Sequence, residues 1–203
     1  MTTRRRFVTA LGTVSGVLAG CSDDGGSADG DGTDGGGAGG TPTPTQATAG
    51  SLSFSATAFE DGGTIPERYT GVGEDVSPEL IVESVPEGAA ALALVVDDPD
   101  ADDFVHWLIW NVPADTETIP AGVPQGETVE SLDGARQGTN DFGELGYRGP
   151  LPPSDDGPHT YRFTMSAVDT TLELEAGAGR GELMTALGGA VLDTHQITGE
   201  FER

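Results

Sequence analysis

The chain has 203 residues, with 34 Asp and Glu against nine Arg, no Lys and a formal net charge of −25 at pH 7. That acidity weighs against a nucleic-acid partner, whose phosphates it would repel. A Lys-free acidic surface matches a protein working in concentrated salt, where the Debye length falls to about 3 Å at 1 M and self-repulsion is screened.

Residues 1–21 read as an export signal. Thr3-Arg4-Arg5-Arg6-Phe7-Val8 carries a twin-arginine signature, and the apolar run from Phe7 to Ala19 is shorter than the roughly 20 residues a membrane span needs. The twin-arginine form predicts export of an already folded protein. Leu18-Ala19-Gly20-Cys21 looks like a lipobox, so cleavage before Cys21, lipidation there and anchoring to the outer face of the cytoplasmic membrane are expected. Cys21 is the only cysteine, which leaves no disulfide and no thiolate chemistry for the folded part. Residues 22–50 hold ten Gly and no apolar side chain larger than Ala, the composition of a flexible tether with a reach of roughly 30 Å.

Residues 51–203 are long enough for one domain with a real core. Leu52–Phe59 alternates apolar and small polar residues as a strand does, and Leu80–Val85 is a second strand candidate between Pro78 and Pro86. Ala90–Val96 is a continuous apolar run, predicting a strand buried on both faces. Phe104–Val112 and Tyr161–Val168 are rich in aromatic and β-branched residues. Leu183, Met184, Leu187 and Val191 recur at helical spacing and predict a helix over Gly181–Leu192, with a last edge strand at Gln196–Phe201. Many short strands and one late helix predict an all-β fold, a two-sheet antiparallel β-sandwich with a short C-terminal helix.

Three segments can carry chemistry. Period two places His106 on the face of Phe104, Leu108 and Trp110, where a hydrogen-bonded core histidine is the usual reading and a ligand-binding one the alternative. His159 and Tyr161 share a face with Phe163 and Met165, and Tyr161 reads equally as core. Asp98 precedes Pro99 and so sits in an extended turn at a strand tip. It either caps that turn or holds an imidazole protonated, and a protonated histidine pair beside fixed amides would attract an anion. Gly146-Tyr147-Arg148-Gly149-Pro150-Leu151-Pro152-Pro153 reads as a stiff turn.

Five motifs occur in one order: Asp98-Pro99-Asp100-Ala101, His106-Trp107 with Asn111-Val112-Pro113, Gly138-Thr139-Asn140-Asp141-Phe142-Gly143, Tyr147 to Pro153, and His159-Thr160-Tyr161. Together with Asp75-Val76-Ser77-Pro78-Glu79-Leu80, they resemble the phosphatidylethanolamine-binding protein family, in its prokaryotic Raf kinase inhibitor-like branch, over essentially all of 51–203. The resemblance implies a two-sheet sandwich with a small pocket for phosphate-like anions. It assigns ligand binding to Asp98, Asp100, His106, Tyr147, His159 and Tyr161, with Gly149 and Pro150 forming a wall. The chain departs from the family's pattern at Asp102, where Pro is usual, at Leu151, and at Ala190, where many prokaryotic relatives carry His.

The expected function is a lipid-anchored, non-catalytic binding protein for a small anion, with no cofactor and no metal. No serine elbow, cysteine nucleophile, phosphate-binding glycine loop or catalytic carboxylate pair is present in the sequence. Two alternatives stand beside it. One is an extracellular protease inhibitor or protein-interaction module working through Ser154-Asp155-Asp156-Gly157-Pro158. The other is a metal-dependent hydrolase using His106, His159 and Asp98, which would offer zinc two imidazoles, a carboxylate and an open position.

Overall fold

The computed structural model describes residues 50–203; the export signal, Cys21 and the tether up to residue 49 lie outside the described residues. In chain order the strands are β1 (Ser53–Ala56), β2 (Gly63–Thr64), β3 (Leu80–Ser84), β4 (Ala91–Asp98), β5 (Phe104–Pro113), β6 (Thr118–Ile119), β7 (Thr128–Val129), β8 (Ala135–Gln137) and β9 (His159–Val168). Helix α1 (Arg180–Leu187) and strand β10 (Val191–Phe201) follow. The apolar run at 90–96 becomes β4, buried at every position. The aromatic and β-branched segments become β5 and β9, each of ten residues.

Two sheets form. The smaller has the order β1-β3-β6, the larger β2-β10-β9-β4-β5-β8-β7. Every pairing is antiparallel except β2 with β10. One face of the large sheet packs against the small sheet. Leu92, Leu94 and Val96 of β4, Phe163 and Met165 of β9, and Trp107 of β5 meet Phe54, Leu80 and Ile119 there. The opposite face carries Ala93, Val95, Leu108 and Trp110 under Leu172 and the helix residues Leu183 and Leu187. An all-β sandwich with one late helix is therefore the observed architecture.

The helix is shorter than its spacing predicts. It stops before Gly188 and Gly189, the latter at φ 89°, and the apolar Val191 already belongs to β10. Met184 is 51% exposed, and the side chains α1 buries are Leu183 and Leu187. His195, which the sequence places before the last strand, lies within β10, edge-on to Phe54 at 5.2 Å.

A bulge corrects the reading of His106. On β4 the step Val96–Asp97 faces Trp107 and Val105 on β5, so His106 is one residue more than the ladder needs. Such a residue shares its neighbour's side of the sheet. Leu108 and Trp110 accordingly go to the helix face, while His106 stands with Phe104 and Tyr161 on the other. Asp141 caps the loosened Val105 N–H at 2.7 Å.

Gln137 pins the far end of the sheet. It is fully buried, accepts from Trp107 Nε1 at 2.8 Å and donates to the carbonyls of Pro124 and Gly126. Gln137→Leu orphans the indole N–H and both carbonyls, each costing about 1–3 kcal/mol if unmet. We expect a loss of about 3 kcal/mol, measured as a lower denaturation midpoint in concentrated KCl.

Candidate functional site

The large sheet brings three strand ends to one edge. β4 runs antiparallel to both β5 and β9, so its last residue, Asp98, meets the first residues of each. Asp98 follows Leu92, Leu94 and Val96 onto the sandwich side, and His159 and Tyr161 precede Phe163 and Met165 on that same side. The pocket there is open to solvent and holds about 150 Å³. A cavity of that size takes a group of about six heavy atoms.

Its polar wall is fixed atom by atom. Asp98 Oδ2 accepts from His159 Nδ1 at 2.8 Å, and Asp98 Oδ1 accepts from the Asp100 N–H at 2.9 Å. His106 Nδ1 lies 2.7 Å from the Arg148 carbonyl, which can only accept, so that nitrogen carries a proton. The Arg148 N–H returns a bond to the His106 carbonyl at 2.9 Å. The His106 ring sits edge-on to Tyr161 at 5.2 Å and to Phe142 at 5.4 Å. The Tyr161 hydroxyl is buried and, among the described residues, meets no partner at hydrogen-bond distance, with Asp98 its acidic neighbour. Desolvation first, then the neighbouring Asp98 charge, pushes its ionisation far above the ordinary range.

The apolar wall comes from Phe104, Phe142, Leu151, Pro152 and Pro153. Asn140 places Phe142: its Oδ1 accepts from the N–H groups of Phe142 and Glu144, and its Nδ2 donates to Gly146. Asp75 places the proline loop, since its Oδ1 accepts from Gly149 at 2.7 Å while its Oδ2 pairs with Arg148 Nε at 3.0 Å.

Of the residues singled out in the sequence, Asp98, His106, His159 and Tyr161 line one pocket. The other four do not. Asp100 is exposed, and its Oδ2 accepts from the Thr160 N–H, bracing β9. Gly149 and Pro150 are buried behind the wall. A Cβ on Gly149 would lie 2.4 Å from the Tyr69 carbonyl, and Pro150 accepts from Gly71. Tyr147 is corrected from pocket to core: it is 3% exposed, packs edge-on to Trp107 and donates to the Tyr69 carbonyl at 2.6 Å. Its hydroxyl finds its acceptor, the Tyr69 carbonyl, on the core side, which holds the ring there. Among the departures, Leu151 lines the pocket, whereas Ala190 packs with the helix cluster on the opposite face of the sheet.

The histidine pair is also corrected. Asp98 bonds His159 alone, while burial, the largest influence, lowers the His106 pKa from its ordinary 6.5 against the raising pull of the Arg148 carbonyl, Asp98 and Asp141. His106 is thus neutral near pH 7. Among the described residues, no three His, Cys, Asp or Glu are placed to hold one metal ion. Of the residues named for the hydrolase alternative, Asp98 is bonded to His159 Nδ1 and His106 Nδ1 to the Arg148 carbonyl. A larger cavity of about 290 Å³ lies on the helix side of the sheet, but its carboxylate, Asp97, is already paired with Arg162 and Arg180 at 2.8 and 2.9 Å.

Two outcomes are expected. Tyr147→Phe costs about 1 kcal/mol of stability by leaving the Tyr69 carbonyl unmet, and leaves the ring resonances of His106 and His159 in place. In an NMR titration His106 protonates below pH 6.5, its ordinary value. The unfolded chain takes up a proton there that the folded ring refuses. His106's share of stability is therefore complete above pH 6.5 and shrinks as the pH falls below it. In His106→Phe that slope of the stability curve flattens.

Comparison with known proteins adds identity. Residues 55–202 match the family model described as phosphatidylethanolamine-binding protein. A UPF0098 protein from Methanothermobacter thermautotrophicus is 44% identical over 154 residues, covering 75% of this chain and 99% of that one. A Mycobacterium tuberculosis protein bearing the name lipoprotein LppC is 34% identical over 189 residues, 91% of this chain and 90% of its own. The crystal structure of a Chlamydia trachomatis homologue of phosphatidylethanolamine-binding proteins superposes with a TM-score of 0.68 at 31% identity, over 75% of this chain and 98% of that one. Fold, motif order and these matches agree, and the chain belongs to the phosphatidylethanolamine-binding protein family.

Proposed function

We propose that this protein is a non-catalytic binding protein, anchored to the outer face of the cytoplasmic membrane, whose pocket takes the anionic head of a small phosphorylated or carboxylate ligand. The observation that carries this reading is the Tyr161 hydroxyl, buried and without a hydrogen-bond partner among the described residues, in one open cavity with His106, His159 and Asp98. A buried polar group left unmet by the protein is met by something else. The volume suits a head group and not a whole lipid.

The lining also supports a binding role over a catalytic one. It contains no Ser, Thr, Cys or Lys that the His159–Asp98 pair could activate as a nucleophile. Anchoring draws on the mycobacterial relative that carries a lipoprotein name. An alignment over 91% of this chain leaves too few residues outside it to omit Cys21. The acidic, Lys-free composition suits work in concentrated salt.

The test is a titration of the full chain in concentrated KCl, following the ring resonances of His106 and His159 while adding phosphate, phosphorylethanolamine and acetate. Saturable shifts at both rings, abolished in Asp98→Ala, are expected with at least one anion. Silence with all three overturns the reading and turns attention to protein recognition through the exposed turn at Ser154–Asp156.

A further inference from the structure

The outer edge of β10 is closed at two points and open between them. At one, the Leu52 N–H donates to Asp193 Oδ2 at 2.7 Å. At the other, Thr198 gives its N–H to Asp61 Oδ1 at 2.8 Å and its carbonyl accepts from the Gly62 N–H at 2.9 Å. β2 pairs only with Gly199 and Glu200. The main-chain groups of Thr198 thus point away from β9. Direction alternates along an antiparallel strand, so those of Gln196 and Thr194 point outward as well. The Gln196 N–H and C=O and the Thr194 C=O meet no partner among the described residues.

Strand β1, the edge of the small sheet, faces this gap in the same way. The Thr57 N–H bonds to Glu79 on the β3 side, whereas the Phe54 N–H turns outward to His195 Nδ1 at 3.4 Å. Ala56 repeats the direction of Phe54, and its N–H and C=O likewise meet no partner among the described residues. Two unpaired edges therefore flank one groove of about 420 Å³, floored by Phe54, Phe59 and Ile197. From Asp193 to Thr198 the open edge runs roughly 17 Å at about 3.4 Å per residue, the length of a short strand.

Exposed sheet edges are normally guarded by charged side chains, by proline or by a cover. Between its two closed points β10 reads Thr194-His195-Gln196-Ile197, without Asp, Glu or Arg, in a chain that carries 34 acids. Acids stand at the rim of the groove instead. Glu60, Asp61 and Glu83 are all exposed, and no Arg lines the groove to balance them. On the opposite face of the same edge, Val191 and Met184 are 41% and 51% exposed.

We propose that the groove takes an extended, basic segment of a partner protein, which adds to β10 as a further strand through the Gln196 N–H and C=O. The side chains of an added strand alternate between the two faces of the sheet. Its basic residues lay their alkyl stems on Phe54, Phe59 and Ile197 and carry their charges to the rim carboxylates. The residues between them cover Val191 and Met184. This surface is separate from the pocket where β4, β5 and β9 end, and its use does not depend on a ligand there.

The probe is a blocked pentapeptide alternating arginine with valine, titrated into the full chain in concentrated KCl, where attraction between exposed charges alone is screened. Saturable binding is expected, with the Gln196 amide proton exchanging more slowly in the complex. Gln196→Pro removes the outward N–H and leaves the ladder to β9 intact, a place where an edge strand accepts proline. That variant is expected to bind the peptide at least roughly five-fold more weakly, the scale of a lost hydrogen bond. The same peptide methylated on its backbone nitrogens is expected to lose affinity for the wild type to a similar degree, and it decides the matter if Gln196→Pro does not fold.

Absence of binding overturns the proposal. Equal affinity for the methylated and unmethylated peptides shows charge attraction without strand addition and also overturns it. Equal binding of a peptide with glutamate in place of arginine overturns the basic partner. A dimer of the free chain in sedimentation, dissociated by Gln196→Pro, gives the edge to a second copy and overturns the assignment to another protein.

Discussion

Strand β4 is buried along its whole length on both faces, and a strand in that position needs two covers. The small sheet supplies one and α1 with the preceding loop supplies the other. The alternation of a strand then divides its last two residues, both carboxylates, between the two sides. Asp97 goes under the helix, where Arg162 grips both its oxygens and Arg180 adds a third contact. Asp98 goes to the sandwich side, where it holds His159. Adjacent acids of similar burial thus have separate fates: one closes a structural ion cluster, the other founds a pocket. Burial of a carboxylate is tolerated only when it is paired and hydrogen-bonded, and the placement of β5 and β9 on either side of β4 makes both pairings reachable.

Much of this was legible in the sequence, and the parts that were not have physical reasons. β4, β5 and β9 are long enough for their composition and periodicity to show. β2, β6 and β7 are two residues each and carry no period at all. The helical spacing ran on to Val191 because apolar residues continue past Gly188–Gly189, where the backbone turns into β10. Strict alternation failed at His106, since a bulge adds a residue that no pattern of apolar side chains announces. Motif likeness pointed to the pocket's neighbourhood but not to which atoms face it. Tyr147, Gly149, Pro150 and Asp100 hold the walls, and Arg148 acts through its peptide group, invisible to any reading of side chains.

The pocket is built almost entirely on backbone. Phe142 is placed through its amide by Asn140, the proline loop through Gly149 by Asp75, His106 through the backbone N–H and C=O of Arg148, and β9 through Thr160 by Asp100. Side chains anchored to main-chain groups lose little geometry when surface charge is screened or exposed. A protein carrying 29 acids against six arginines over residues 51–203 works under strong self-repulsion. The pocket's walls are held by contacts from side chains to main-chain groups, not by pairs of surface charges.

The bulge at His106 uncouples one side chain from the register of its strand. Register in a sheet is unforgiving, because a slip of one residue sends every side chain to the wrong face. His106 stands outside that bookkeeping: the ladder closes around it through Val105 and Trp107, and Asp141 secures the amide it displaces. The position behaves as a socket. A substitution there changes the group set against Phe104 and Tyr161 without asking Val105 or Trp107 to change partners on β4.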